Sequence, residues 1–554
     1  MKLPNFITDK EYDTGSTATE TSADAVGSDR ENGPRSAAGA KRSLTRRGCL
    51  KSAVATGVTG IGIASTASAS SGDGSYSDYF DEYDTVIDMV EAGADNTGSE
   101  PITDVLKAHR GDDTLLVFPP GRYYMDEQFR FTGFENFGLL GNDATLVPAN
   151  YHEFDGPQYR LFRLGVDYSP GRNLLVEGFT VDQTATDTGI RVIDTFVADG
   201  LEVRDITVDG YHDSGTWGPG LFNITDPDGS GIVEGFKAPD GAAWVDETPN
   251  AGNLWRGPSG IIANQNRGTL TFRHCVLGPF PDNGLYASGG TGTVVVEGGI
   301  FKNSNAANVR IGGDSSRVEW VTVEVDDARP QDTSQRAIRL ENGDGLRVEG
   351  AAVRVTNPMP TSHAISVMNT CEGTRIENST IDISGDEINQ GIVVSPDAGE
   401  TVIVDTDITH DTTGGYPIWI RESDRTDQVL CEHVTVSGQA GDDGGFRDGI
   451  RCERDNCRFN AVTVTQPSDV DRNALVNTGD DCRIYKGEYR ASQYPIVDLG
   501  SGTVVREVHA ESYDGNEGVL LYDQCENAAL KKNTLVNGVK DNGCDGLVMW
   551  GNTF

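Results

Sequence analysis

From about residue 160 one pattern returns along the chain, and it leaves few folds open. Instances are NVRIGGDSSRVEWVTVEV, AIRLENGDGLRVEGAAVRV, AISVMNTCEGTRIENSTIDI, GIVVSPDAGETVIVDTDIT, GIRCERDNCRFNAVTV and ALVNTGDDCRIYKGEY. Each unit has a short alternating strand, a polar turn, a second alternating strand, a Gly or Asn, a third strand and a variable loop. The repeat returns every 21–32 residues or so, too long for a hairpin and without helical periodicity. Three short strands per repeat predict one coil of a solenoid, the inward residues of each coil stacking on those of the next.

The bend between the second and third strands supports this register. It holds Gly178, Gly298, Gly350, Asn378, Asn460, Gly487 and Asn533. A sharp bend takes a residue with positive φ, and Gly and Asn tolerate it best.

The stretch Gly93–Met125, GADNTGSEPITDVLKAHRGDDTLLVFPPGRYYM, extends the pattern to the start of the solenoid. Together with the repeats it resembles the pectin-lyase-like superfamily of right-handed parallel β-helices. The whole also looks like the β-helix proteins that haloarchaea export by the twin-arginine route. The resemblance implies an all-β, right-handed, single-stranded parallel β-helix over residues 85–554. It would have about 12 coils of three short strands and a short capping helix around Pro101–Ala108. The cap covers an edge that an open coil would expose. The likeness is specific for fold and not for activity, because this fold serves lyases, hydrolases, tailspikes and adhesins.

The N-terminus reads as an address. Residues 1–40 are polar, without apolar pattern, and are expected to be disordered. In residues 41–69, Arg46–Arg47 precede a weakly apolar stretch that ends in Ala67-Ser68-Ala69. That order predicts a twin-arginine signal cleaved near Ala69, a linker over 70–84, and a mature protein outside the cytoplasm or on the cell surface. No other segment is apolar and long enough to span a membrane. The net charge of -40, from 85 acidic and 45 basic residues of which only 11 are Lys, repels nucleic acid and anionic lipid. It suits very salty water, where screening acts over a few ångströms. Eight cysteines follow the signal, with no CxxC pair or metal-ligand spacing; they read as buried thiols, with one or two disulfides the alternative.

Gly479-Asp480-Asp481-Cys482 matches the string around the catalytic carboxylates of polygalacturonases. In that family the pair comes just before the first strand of a coil. Here Asp480–Asp481 follow the strand Ala474-Leu475-Val476, where neighbouring coils have NGDGL and RDNC. The pair is therefore expected to be a polar turn, and adjacent turn residues do not by themselves flank a glycosidic bond.

The outward position of the first strand, read down the stack, gives Arg163, Arg191, Ile262, Tyr286, Arg310, Arg339, Ser366, Val393, Trp419, Arg451 and Val476. Coils stack about 4.8 Å apart, so Arg310 and Arg339 should be near neighbours, with Arg336 and His363 at successive strand entries. Like charges so stacked need an anion. One reading supplies it from the chain: Glu341 and Glu453 pair with Arg339 and Arg451 in structural ladders. The other supplies it from outside, as uronate or sulfate groups of an acidic polysaccharide held by bidentate pairing.

By resemblance to lyases of the superfamily, Arg310 or Arg339 would be base or charge neutraliser and His363 a proton donor. Asp282 would be an acid or a ligand of Ca²⁺, a possible helper ion; no cofactor is certain. Arg163, Arg191, Tyr286 and Arg336 would bind substrate. The stretch His212–Pro258 reads as a long inserted loop whose Trp217 and Trp255 either stack on sugar or pack the loop down, and whose Asn223 is a glycan acceptor. The function expected is binding, with or without lyase-like cleavage, of an acidic polysaccharide. A non-catalytic adhesin or envelope protein is the alternative, and a glycoside hydrolase of polygalacturonase type is third. Oligomeric state is not legible.

Overall fold

The computed structural model describes residues 77–155, 159–215, 217–249, 256–356, 358–360, 362–439 and 448–554. The stretch 1–40 expected to be disordered, the expected signal at 41–69 and residues 70–76 of the expected linker lie outside these residues, as does Trp255. Strands, mostly of two to nine residues, follow one another in threes, and each pairs in parallel with its counterpart one turn on. The first strands form a single 16-stranded sheet, from Phe129–Phe131 to Val539–Asp541. The second and third strands form the other faces. One example is Arg317–Glu319 on Leu346–Glu349 on Gly373–Glu377; another is Thr322–Val325 on Ala352–Thr356 on Thr380–Ile388. The fold is a right-handed parallel β-helix of about 16 turns with almost no helix.

Sixteen turns exceed the 12 expected, and one reason is visible in the stretch 212–258. It contains a whole coil, with strands Gly220–Ile224, Ser230–Glu234 and Lys237–Ala238, so the loop proper begins only after Ala238. All five residues of Gly220–Ile224 are buried. A strand covered on both faces loses the apolar–polar alternation that marks a half-buried one. Asn223 is fully buried there, with Oδ1 accepting from the Gln265 amide, and offers no surface for a glycan.

Inward side chains stack in register. Val309, Ile338, Ile365, Ile392, Ile418, Ile450, Leu475 and Ile496 form one continuous column with no solvent exposure. Burying each such side chain is worth roughly 1.5–3 kcal/mol, so the column both holds the coils together and sets their register. At the N-terminal end the expected cap is present as the helix Thr103–His109, which lays Ile102 and Leu106 into this core.

The corner between second and third strands takes positive φ on successive turns. Gly178, Gly298, Gly350 and Asn378 occupy it as expected. In three later coils the bend falls one residue from the expected Asn460, Gly487 and Asn533, on Ala461, Lys486 and Lys532. The turn between first and second strands carries a different device. Asp455 Oδ1 accepts from the Asp480 amide (2.7 Å), and Asp480 Oδ1 accepts from the Ser501 amide one turn further on (2.7 Å). Asp480–Asp481 are thus turn residues, as expected, and the Asp480 carboxylate ties adjacent coils together.

The eight cysteines beyond residue 76 are all buried and unbridged. Cys452, Cys457 and Cys482 nevertheless converge, which the spacing of cysteines along the chain did not reveal.

Candidate functional site

The outward column of the first face runs Arg163, Asp194, Leu221, Ile262, Tyr286, Arg310, Arg339, Ser366, Val393, Trp419, Arg451 and Val476. Asp194, and not Arg191, holds the second place. Arg191 pairs in register with Arg160 at the strand entry and is buried, its guanidinium 2.8 Å from Asp194 and its Nε donating to the Gly218 carbonyl. It belongs to an internal Arg160–Asp194–Arg191 cluster. Arg163 stays on the outer column, as read.

Arg310 and Arg339 are direct register partners on successive turns, 16 % and 14 % exposed. The Arg310 guanidinium lies over the Tyr286 ring, 4.5 Å from its centroid, a cation–π contact from the turn before. One carboxylate serves both arginines. Glu341 Oε1 is 3.1 Å from Arg310 Nη2, and Arg339 donates to it through both Nε and Nη2. Burial pushes the Glu341 carboxyl up, but Arg310 and Arg339 outweigh it and hold the group below its ordinary range. Arg451 is likewise held by Glu453, which also accepts from Trp419 Nε1. The two glutamates expected to act as internal counter-ions do so.

His363 starts the next coil, in line with Arg336. Its Nδ1 is 2.9 Å from Ser366 Oγ. Burial, then the guanidiniums of Arg336, Arg421 and Arg339, keep it neutral far below the ordinary histidine range. A residue so held is a poor proton donor near neutrality. Arg421 was not singled out in the sequence. It lies two residues beyond Trp419 on the same strand alternation, with its guanidinium 5.1 Å from that ring, so the same period-2 reading would have found it.

Asp282 sits under the arginines, accepting from Ser259 Oγ (3.0 Å) and Asn283 Nδ2 (2.9 Å). Burial raises its pKa against the opposing pull of Ser259, Arg310, Asn283 and Arg339. Among the described residues, the one group of three or more His, Cys, Asp or Glu side chains close enough to share an ion is the cysteine cluster. The chain's own carboxylates therefore build no Ca²⁺ cage around Asp282 there.

Two tryptophans of the stretch 212–258 pack against the solenoid. Trp217 lies against Phe196, Leu221 and Ile262, over the N-terminal part of the column. Trp244 is buried, with the Arg329 guanidinium 4.6 Å from its ring centroid. The loop after Ala238 is thereby fastened to the segment around Arg329, which also donates to the Pro279 and Phe280 carbonyls.

No protein-family model matches this chain, and no curated protein sequence does. Solved structures similar to it share low identity. The tailspike protein of an E. coli bacteriophage, solved as a mutant with a pentasaccharide, is 11% identical over 85% of this chain and 81% of its own, with a TM-score of 0.43. The catalytic unit of a thermostable α-1,3-glucanase from Streptomyces thermodiastaticus is 14% identical over 85% of this chain and 69% of its own, with a TM-score of 0.37. PfbA, a surface adhesin of Streptococcus pneumoniae, is 9% identical over 85% and 93%, with a TM-score of 0.30. Such scores transfer no activity to this chain.

Proposed function

We propose that this protein is exported and that the first-strand face around Arg310, Arg339 and His363 binds an acidic polysaccharide. The observation that carries the reading is charge concentration at one place on a chain of -40. Arg310 and Arg339 share a single carboxylate, while Arg336 and Arg421 add two more guanidiniums around a neutral His363. Stacked arginines one rung apart match anionic groups recurring along an extended chain, and the planar guanidinium favours bidentate contacts to carboxylate or sulfate.

Binding is better supported than cleavage by an arginine base. A base needs a free side chain to take the proton, and both guanidiniums are engaged with Glu341. A single observation favours a second reading, glycoside hydrolysis. Asp282 is pushed up and Glu341 held down beside the same two arginines, the opposed pair that an acid and an ionised carboxylate require.

One experiment separates these readings. The purified protein is incubated in high salt with a panel of polyuronates and sulfated glycans. Binding is followed by affinity electrophoresis, elimination by unsaturated-product absorbance and hydrolysis by new reducing ends. Binding alone, weakened about tenfold or more in the Arg310→Gln/Arg339→Gln variant, is the expected result. No retardation by any anionic glycan would overturn the proposal; new reducing ends would then favour hydrolysis, and the absence of both the non-catalytic adhesin or envelope reading. Export is tested separately: Arg46→Lys with Arg47→Lys should hold the protein in the cytoplasm.

A further inference from the structure

Inside the solenoid, far from any use the outer face makes of its arginines, three cysteines meet at one corner. Cys452 ends the strand Asp448–Cys452, Cys457 precedes the strand Arg458–Asn460, and Cys482 repeats the place of Cys457 one turn on, because Arg458 pairs with Arg483. All three are fully buried, and their sulfurs lie within 4.8 Å of one another. Buried cysteines are commonly small hydrophobic fillers, and Cys431, one coil before, is buried in the core and outside the trio.

Beside the trio lies a charge that filler does not explain. Arg454 has no solvent exposure. Its guanidinium donates to the carbonyls of Ala398, Ser395 and Pro396, while its Nε has no hydrogen-bond partner among the described residues. No carboxylate forms an ion pair with it among those residues. Neutral acceptors alone leave a buried cation expensive. Among the acids around it, Asp427 acts on Arg454 only through space and is ion-paired with Arg425, the buried Asp448 of the same coil is taken by Arg451 and Asn473, and Asp498, two turns further, accepts from Asn477, Thr503 and the Gly500 amide.

We propose that Cys452, Cys457 and Cys482 hold a thiophilic divalent cation of the zinc–cadmium class as a trithiolate, with Arg454 as its electrostatic counterpart. On loading, three S–H protons leave to solvent and each sulfur gives a lone pair to the ion. Three thiolates and one divalent cation sum to a single negative charge, which the guanidinium matches. Zn–S bonds of about 2.3 Å put three ligating sulfurs roughly 3.8–4.0 Å apart, inside the observed span. Thiolates select soft ions over Ca²⁺ or Mg²⁺. A disulfide between two of the three would instead leave Arg454 without its negative partner.

The test uses the whole chain, expressed in medium supplemented with zinc or cadmium and purified under reductant without chelator. Elemental analysis should find about one ion per chain in the wild type and in Cys431→Ser, and less than about a tenth of that in Cys452→Ser, Cys457→Ser and Cys482→Ser. The cadmium form should show a sulfur-to-metal charge-transfer band. Arg454→Met keeps every ligand and should weaken retention against a competing chelator about tenfold or more. Should the serine variants fail to fold, wild type refolded under reductant with Cd²⁺ must still develop the band, absent without it. Metal-free protein from both media, no band on refolding, or a disulfide linking any two of the three in native protein would each overturn the proposal.

Discussion

Glu341 reaches back one turn to Arg310, 3.1 Å away, while also holding Arg339 two residues before it on its own strand. Two guanidiniums on adjacent rungs are thus bridged by one carboxylate that is 22 % exposed. The bridge holds these two guanidiniums together without a ligand, with one carboxylate between them.

Replacing Glu341 by Gln should therefore act in two directions. Stability should fall by about 2 kcal/mol, less than the roughly 3–5 kcal/mol of a fully buried pair, because solvent still reaches the group. Retardation by polyuronate should increase, since both arginines are released. The sign of the pH effect is fixed by the lowered pKa: the contribution is complete above the ordinary value of 4.5 and is lost as pH falls through the lower folded value. Denaturant unfolding from pH 3 to 7 should show this acid loss in the wild type and a smaller one in Glu341→Gln.

His410 gives a second pH signature. It is fully buried, with Nε2 2.9 Å from the Asn389 carbonyl, and burial, then Arg472, lower its pKa to about 3. The unfolded chain binds a proton below about 6.5 while the folded one does not, so stability falls as pH drops from about 6.5 towards 3. The slope should approach 1.4 kcal/mol per pH unit for this residue. In proton NMR its ring resonances should not titrate between pH 5 and 8. A midpoint near 6.5 would contradict its burial.

At the corner column, Gly350 has φ +62, and a Cβ there would come 2.2 Å from Trp320 Cε3. Gly350→Ala should cost about 1–2 kcal/mol for the left-handed backbone, plus the cost of displacing the ring. Adding Trp320→Ala should recover only the second part. Conversely, Ala461→Gly, at φ 53 on the same corner, should raise stability by about 0.5–1 kcal/mol. Thermal unfolding of these three variants beside the wild type checks the set.

Asp480→Asn with Asp481→Asn should leave any glycan binding or turnover unchanged, since an amide oxygen still accepts from the Ser501 amide. Asp480→Ala should lose about 1 kcal/mol with that bond. Loss of turnover in the Asn pair without loss of stability would assign these residues a catalytic part.

Much of this architecture is written locally. Alternation in strands such as Ala307–Ile311 and Leu346–Glu349, the polar turn at Asp480–Asp481, the helix Thr103–His109 and the Gly350 and Asn378 corners each depend on a few consecutive residues. The placing of Arg310 on Arg339, and of Glu341 as a counter-ion, also followed from period and strand alternation.

What only the tertiary structure decided is which residues stack when the repeat length changes. Between Arg163 and Tyr286 the coils differ in length and one strand, Gly220–Ile224, is buried on both sides. Local pattern there gave Arg191 a place that Asp194 holds. The meeting of Cys452 and Cys457 with Cys482 likewise depends on coil length, not on spacing within a motif. The physical reason is that register is set by the inward column, where Val309, Ile338, Ile365 and their successors must lie over one another to stay dry. Loops adjust to that demand, so residues about 25 positions apart become neighbours by packing alone.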